Sequence, residues 1–264
     1  MVEFCLMTPW QTPWQYPPLN LKLIQRDVHV WRVNLNEPSS VVDSMLRVLT
    51  SDERNRANRF HFERDRDHFI VGRGTLRMLL GHYLKEKPGR IRIHYGPFGK
   101  PALVEECNNA GLRFNVSHSR GLALYGFALD FELGIDLEYV REDFATDDIA
   151  KRFFTPGEVE KLRTIQPHLR AEAFFTCWTR KEAFIKAVGK GLSLPLDEFE
   201  VSLAPDEPPA VLTVKDKMMD AARWSVRDLS PGPGFVAAIA IEGHAQQLYC
   251  WQWHNFEAGR VLPT

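Results

Sequence analysis

The sequence predicts an α+β protein made of two similar halves. Short apolar runs typical of strands are interspersed with two long helical segments, at about residues 65–85 and 170–190. A capping box precedes each long helix, Thr50 to Glu53 and Thr155 to Glu158, and a shift of 105 residues carries the first box onto the second. The same shift carries Phe69 onto Phe174. We therefore expect a duplicated unit whose sequence identity has been lost.

In both halves the long helix is followed by a glycine and then by strands. The first half is predicted to contain, in order, a strand at 27–35, a short helix at 41–49, a basic helix from Thr50, the long helix, and strands at 91–95, 112–116 and 122–129. The second is predicted to contain strands at 134–138, 199–203, 210–214, 224–229, 234–241 and 248–253. The expected divisions are an irregular arm at 1–20, an N-terminal half at 21–129 and a C-terminal half at 130–264, with a poorly ordered tail after Asn255.

Composition excludes several classes of protein. Lys plus Arg number 33 and Asp plus Glu number 34, so the net charge of −1 gives no general case for binding nucleic acid or an acidic membrane. Hydrophobic residues make up 44%, which is typical of a globular chain, and no segment reaches the length of a transmembrane helix. The four cysteines are far apart, which favours reduced thiols in the cytoplasm.

The first twenty residues are predicted to form an arm rather than a signal peptide. Four prolines and two tryptophans interrupt this stretch, and it has neither a basic start nor a long apolar run. Trp10 and Trp14 are the residues expected to pack it on the body of the protein.

The stretch from Phe174 to Pro195 is predicted to be an amphipathic helix that ends at Gly189. Its apolar stripe is expected to consist of Ala171, Phe174, Phe175, Trp178 and Ile185. Glu182 falls in the middle of this stripe, where an unpaired carboxylate is costly. One interpretation is a surface ion pair with Lys186, one turn later, and the other is a functional carboxylate.

Residues 134–138, Gly-Ile-Asp-Leu-Glu, alternate acidic and aliphatic side chains. On a strand, Asp136 and Glu138 point to one face. Together with Glu182 they would supply three oxygen ligands for a hard divalent ion such as magnesium. The alternative for these two residues is the wet face of an exposed strand.

Four motifs in this order resemble the signature of the 4′-phosphopantetheinyl transferases, in particular the Sfp-type subgroup with two halves. They are Gly-Lys-Pro at 99–101, Phe-Asn-Val-Ser-His-Ser at 114–119, Gly-Ile-Asp-Leu-Glu at 134–138 and Trp-Thr-Arg-Lys-Glu-Ala-Phe-Ile-Lys at 178–186. The resemblance implies a pseudo-dimer of two similar α+β halves with the active site between them. It also implies transfer of the 4′-phosphopantetheine arm of coenzyme A to a serine of an acyl or peptidyl carrier protein, with release of adenosine 3′,5′-bisphosphate.

The resemblance also implies roles for individual residues. Asp136, Glu138 and Glu182 would hold magnesium, Glu182 would accept the proton of the serine, and Lys186 would stabilise or protonate the leaving phosphate. The residues implied to bind coenzyme A are Arg73, Lys100, Pro101, Ser117, His118 and Lys186. The carrier is expected to have an acidic surface, and the enzyme is expected to be a monomer.

Other interpretations of these residues stay open at the level of sequence. Arg73 lies on the inner face of the first long helix and needs an anionic partner, either a ligand phosphate or a structural carboxylate. Lys100 has the alternative of an ordinary turn residue, and His118 that of a structural histidine rather than a loop histidine facing a phosphate. Ser117 and His118 are not expected to form a hydrolase pair, because adjacent strand residues point apart and no nucleophile elbow is present.

Two other classes of function are weaker explanations of the sequence. A non-catalytic protein of the same fold that binds coenzyme A or a carrier protein is the alternative, and the intact set of Asp136, Glu138, Glu182 and Lys186 argues against it. An unrelated magnesium-dependent nucleotide enzyme has no support, since neither of the common glycine-rich phosphate motifs occurs.

Overall fold

The computed structural model describes residues 12–204, 207–216 and 219–254 of the 264-residue chain. Trp10 and the tail after Asn255, for which the sequence made predictions, lie outside the described residues. The helices are α1 Ser39–Val48, α2 Ser51–Ala57, α3 Glu63–Leu84, α4 Asp147–Phe153, α5 Pro156–Thr164 and α6 Pro167–Val188. The strands are β1 Trp14–Gln15, β2 Asp27–Asn34, β3 Ile93–Tyr95, β4 Pro101–Leu103, β5 Leu112–Ser119, β6 Leu122–Leu129, β7 Leu133–Tyr139, β8 Phe199–Val201, β9 Val211–Val214, β10 Trp224–Leu229, β11 Phe235–Glu242 and β12 Gln247–Gln252.

The helices and strands confirm the predicted α+β class. The chain divides into two compact units. Among the described residues, unit A contains Trp14–Asp130 and Gln247–His254, and unit B contains Phe131–Gln246. Each has its own hydrophobic core, which includes Trp31, Leu79 and Phe127 in unit A and Phe174, Phe184 and Ala238 in unit B. None of the helices in the described part of the chain is long and apolar enough to cross a membrane.

The two units repeat one order of elements. In unit A, β2 pairs antiparallel with β6, the second strand of the β5–β6 hairpin, and in unit B, β7 pairs in the same way with β11 of the β10–β11 hairpin. Between the first strand and the hairpin, each unit carries three helices followed by a two-stranded ribbon, β3–β4 or β8–β9. The units therefore agree with the duplication that the sequence predicts.

The last strand belongs to unit A, so the sequence placed it in the wrong half. β12 pairs parallel with β2, and β1 pairs parallel with β12, which extends the sheet of unit A to the order β1-β12-β2-β6-β5. Part of the predicted irregular arm is thus a short edge strand. Sequence patterns cannot reveal this pairing, because its partners lie more than 200 residues apart and no local turn joins them.

A buried glutamate and a buried cation stabilise the helices of each unit. The two capping boxes are both present, and their glutamates, Glu53 and Glu158, also bind a cation on the long helix. Arg77 Nε lies 2.6 Å from Glu53, and Lys181 Nζ lies 2.8 Å from Glu158. Both cations then donate to backbone carbonyls of the segment that follows the helix. One carboxylate thereby links the short helix, the long helix and the next segment of chain.

Unit A contains a buried histidine that is neutral in the folded state. His29 is 1% exposed, and its Nδ1 lies 2.8 Å from the Tyr83 hydroxyl, which also accepts a hydrogen bond from Trp31 Nε1. Burial, and secondarily the charge of His82, lowers the pKa of His29 from 6.5 to about 4.

We expect the stability of the protein to fall between pH 6.5 and about 4, since the unfolded chain binds a proton at His29 that the folded chain does not. The loss attributable to this group should be about 2 kcal/mol between pH 7 and pH 5. Urea unfolding of the wild type and of His29→Asn at both pH values measures it. The variant should lose less stability over this interval, and an equal loss in both proteins would contradict the assignment.

Candidate active site

Strand β7 of unit B lies directly against helix α6 because residue 134 has no side chain. A Cβ atom at Gly134 would collide with the carbonyl oxygen of Ala183 and the amide nitrogen of Ala187, and would lie 2.7 Å from the carbonyl carbon of Lys186. These atoms belong to the backbone, which cannot rotate away as a side chain can. The contact places the part of β7 after Gly134 beside the last turns of α6.

Asp136 and Lys186 form a short ion pair at this contact. Lys186 Nζ lies 2.6 Å from Asp136 Oδ1 and also donates to the carbonyl of Ile135 at 3.2 Å. The Asp136 side chain is 6% exposed and that of Lys186 is 29% exposed. A buried carboxylate needs such a cation, so the surface ion pair between Glu182 and Lys186 is not the principal contact of this lysine.

Glu182 is half-buried one turn before Lys186 on α6. Burial raises its pKa above the usual value for glutamate, and the charges of Asp136 and Glu138 act in the same direction, while Lys186 opposes them. The three carboxylates predicted from the sequence are therefore electrostatically coupled. Within the described residues, no three His, Cys, Asp or Glu side chains are arranged as a group that could hold a metal ion, so the magnesium site stays a prediction.

Helix α6 is buried on more sides than the predicted apolar stripe allows. It ends as predicted, with Gly189 in the left-handed conformation at φ 76°. Besides the stripe, the buried residues are Ala173, Cys177, Thr179, Arg180, Lys181, Ala183, Phe184 and Ala187. The reason is that β7 and β11 contact one side of the helix while α5 and β8 contact others. A stripe predicted from period 3.6 assumes one buried face, and α6 has more.

The sequence analysis missed the roles of Arg180 and Lys181, which immediately precede Glu182. Arg180 is bidentate with Asp228 and donates to Ser202, and Lys181 binds Glu158 together with the carbonyls of Leu196 and Phe199. Both side chains are at most 3% exposed. These two contacts hold the part of α6 that carries Glu182. In the sequence, the one feature connected with them is Glu158, the glutamate of the second capping box.

Unit A contains a cavity of about 1020 Å³ that gathers some of the other predicted residues. Arg73, Pro101 and His118 line it, but Lys100 and Ser117 do not. Ser117 and His118 lie within β5, not in a loop as predicted, and Ser117 is buried on the opposite face of the strand from the exposed His118. Lys100 is half-buried in the β3–β4 hairpin, which is closed by a hydrogen bond from the Gly96 amide to the Lys100 carbonyl.

The cavity has a basic wall, whose grouping of residues from separate segments was not predicted from the sequence. Its arginines and histidines, besides Arg73 and His118, are Arg56, Arg64, His68 and Arg120, and one carboxylate, Asp65, lines it as well. Burial, and then the charge of Arg64, lowers the pKa of His68, and the charge of His118 acts in the same direction. Three arginines make the segment after Thr50 basic, and of these Arg56 lines the cavity whereas Arg54 and Arg59 do not.

Arg73 has a carboxylate partner within unit A. Its Nε lies 2.5 Å from Glu53 Oε1, and the Arg73 side chain is 11% exposed. The sequence left two possible partners for Arg73, a ligand phosphate and a structural carboxylate, and the structure contains the carboxylate.

Each of the two units is matched by a family of known proteins. Residues 132–240 match the 4′-phosphopantetheinyl transferase superfamily, and residues 36–125 match the 4′-phosphopantetheinyl transferase N-terminal family. The chain is 41% identical to 4′-phosphopantetheinyl transferase HetI of Nostoc sp. over 92% of its own length and 99% of the relative's length. The chain belongs to the 4′-phosphopantetheinyl transferase family. It is a transferase that loads carrier proteins with the phosphopantetheine group of coenzyme A, as the resemblance predicts.

Other relatives of the transferase come from distant organisms. A 4′-phosphopantetheinyl transferase of Bacillus subtilis is 33% identical over 67% of the chain and 77% of its own length. The human L-aminoadipate-semialdehyde dehydrogenase-phosphopantetheinyl transferase is 30% identical over 61% of the chain and 54% of its own length. These similarities support membership of the family and do not identify the carrier partner of this transferase.

We expect Gly134→Ala to lower the free energy of unfolding by at least about 1–3 kcal/mol, because a methyl group there must separate β7 from α6. The separation should also break the contact between Asp136 and Lys186, so transfer should fall more than the affinity for coenzyme A. Urea unfolding and initial-rate assays measure the two effects. Gly89→Ala is the control, because a Cβ there meets only one atom, at 4.0 Å, and equal effects of both substitutions would contradict the close-packing argument.

Proposed function

We propose that unit B carries the reacting centre of the transferase, with Asp136, Glu138, Glu182 and Lys186 as its working residues. The observation that carries this proposal is the 2.6 Å contact between Lys186 and Asp136 beside a glutamate whose pKa is raised by burial and by two other carboxylates. Strongly coupled charges in one place are typical of catalytic sites, and a single buried structural ion pair would not need the other two carboxylates.

The chemistry of this donor set fits magnesium. All three predicted ligands, Asp136, Glu138 and Glu182, offer hard carboxylate oxygens, and their mutual repulsion favours a divalent cation among them. Magnesium bound by these residues would offset the negative charge of the pyrophosphate of coenzyme A. Lys186 supplies part of the same charge compensation from the protein itself.

The reaction forms a bond between the serine oxygen of the carrier and the β-phosphorus of coenzyme A, and breaks the phosphoanhydride bond. Glu182 accepts the serine proton, because its raised pKa makes it a stronger base than an exposed glutamate. Lys186 donates a hydrogen bond or a proton to the phosphate of the departing adenosine 3′,5′-bisphosphate. Positioning and charge compensation by these side chains are the main contributions expected in phosphoryl transfer.

The cavity of unit A is the proposed site for the nucleotide part of coenzyme A. A nucleotide with several phosphates suits a wall that carries Arg56, Arg64, His68, His118 and Arg120. Pro101 lies at this wall, whereas Lys100, which the resemblance assigns to coenzyme A, and Ser117 are not among the residues that line the cavity. That the two halves form a pseudo-dimer with the active site between them rests on the resemblance.

The partner is proposed to be a carrier protein with an acidic surface. An arginine-rich segment of unit A would suit such a partner: α2 carries Arg54 and Arg56, Arg59 follows it, and the first turn of α3 carries Arg64 and Arg66. The monomeric state and the cytoplasmic location remain proposals, and the described cysteines Cys177 and Cys250 are both buried and free of disulfides.

Intact-mass spectrometry of an apo carrier protein, incubated with coenzyme A, magnesium and this transferase, tests the assignment. We expect the carrier to gain one phosphopantetheine group, and EDTA should abolish the gain. Glu182→Gln should slow transfer by about 10² to 10⁴ while leaving the fold intact, because it removes the base.

Glu172→Gln is the matched control, since Glu172 is an exposed glutamate of the same helix. Near-normal turnover of Glu182→Gln would contradict the role of Glu182. If fatty-acid, polyketide and peptide carriers all fail to gain the group while coenzyme A still binds, the non-catalytic alternative would be favoured instead.

A further inference from the structure

We propose that Arg73 is a positioning residue that holds Tyr95, and with it the β3–β4 hairpin, at the wall of the unit A cavity, with Glu53 as its anchor. The inference rests on the proposed role of this cavity in binding coenzyme A. It departs from the expectation that Arg73 binds a phosphate.

Glu53 is the centre of a dense hydrogen-bond network. Its Oε1 accepts from Arg73 Nε at 2.5 Å and from Arg77 Nη2 at 3.0 Å. Its Oε2 accepts from Arg77 Nε at 2.6 Å and from the Thr50 amide at 2.9 Å. The residue is 8% exposed. Four donors on one buried carboxylate fix the orientation of both arginines.

The two arginines use this anchor in different ways. Arg77 is buried, and its Nη1 donates to the carbonyls of Pro88 and Ile91, so it joins α3 to the chain that enters β3. Arg73, one turn earlier, donates from Nη2 to the Tyr95 hydroxyl at 3.0 Å, and its guanidinium lies 5.8 Å from the centre of the Tyr95 ring. Arg73 and Tyr95 both line the cavity.

The β3–β4 hairpin is separate from the five-stranded sheet of unit A. β3 and β4 form a separate two-stranded sheet, in which Tyr95 is paired with Pro101. The loop between them contains Lys100, and Tyr95 is 52% exposed. A hydrogen bond from an anchored arginine to Tyr95 therefore restrains the end of the hairpin that carries Lys100 and Pro101.

Unit B offers an internal comparison. There the equivalent glutamate, Glu158, binds Lys181 and the Val201 amide, and the corresponding buried cation again reaches carbonyls of the next segment. At the place one turn before the cation, where unit A has Arg73, helix α6 has the uncharged residue Cys177, whose thiol contacts Glu158. The second arginine on the glutamate is thus an addition found in the unit with the basic cavity.

Arg73 is poorly suited to be a phosphate ligand in this arrangement. Its Nε is engaged by Glu53 at 2.5 Å and its Nη2 by Tyr95, so a phosphate would have to compete with both contacts, although Glu53 shares its single negative charge with Arg77. Arg56, Arg64 and Arg120 are exposed at the same cavity and are better placed to meet an anion.

The decisive variant is Tyr95→Phe, which keeps the ring and removes the hydroxyl that accepts from Arg73. We expect the Kd for coenzyme A to rise at least about 5-fold, since a hydrogen bond to a charged group is lost. The kcat should change less than about 2-fold, because the reacting residues are untouched. Hydrogen–deuterium exchange of the amides in 93–103 should become faster without any ligand present.

Arg73→Gln should give the same pattern, and the double variant Arg73→Gln/Tyr95→Phe should be no weaker in binding than Arg73→Gln alone, since both changes remove one interaction. Arg47→Gln and Tyr16→Phe are matched controls from exposed positions of unit A outside the cavity. They should leave the exchange of 93–103 unchanged.

The proposal is overturned if Tyr95→Phe leaves both exchange and affinity unchanged while Arg73→Gln weakens binding and reduces its salt dependence, which is the result for a direct phosphate ligand. Failure of the proposed function looks different. The wild-type protein would then not bind coenzyme A, and isothermal titration would detect this, whereas the exchange measurement would still decide whether Arg73 anchors the hairpin.

Discussion

The candidate active site depends on one close approach of two backbones. Gly134 allows β7 to lie on α6 without an intervening side chain, and any larger residue would meet the backbone of residues 183–187. Two residues further along β7, Asp136 reaches Lys186, which α6 presents one turn after Glu182. The acidic strand and the helix are far apart in the chain, so the charge coupling among Asp136, Glu182 and Lys186 exists only because of this contact.

The long helices that line these features are held by buried ion pairs of a common design. In each unit the glutamate of a capping box both completes the start of a short helix and binds a cation on the long helix. A buried pair of this kind is not strong evidence for stability, because desolvation offsets much of the attraction. It does specify geometry, since a buried cation with carbonyl partners on the following segment allows few alternative positions for the helix.

The two units have diverged around this shared design in ways that match their proposed roles. In unit B, the turn of α6 after the buried Lys181 carries Glu182 and Lys186, and Arg180 is buried as well. Unit A places a second arginine, Arg73, on its glutamate and surrounds a cavity with exposed cations. A duplicated architecture thus carries concentrated negative charge in one unit and concentrated positive charge in the other.

The sequence by itself determined the local features: both capping boxes, the end of α6 at Gly189, nearly every strand, and the family, whose motifs lie in short contiguous stretches. It also identified Asp136, Glu138, Glu182 and Lys186 as a group, through the resemblance. Only the tertiary structure decided that β12 completes the sheet of unit A, that Lys186 pairs with Asp136, that Arg73 pairs with Glu53 and that Ser117 is buried behind His118. The physical reason is that capping, turns and side-chain periodicity act over a few residues, whereas the partner of a buried charge or of a strand edge is set by packing between segments that can be up to 220 residues apart in the chain.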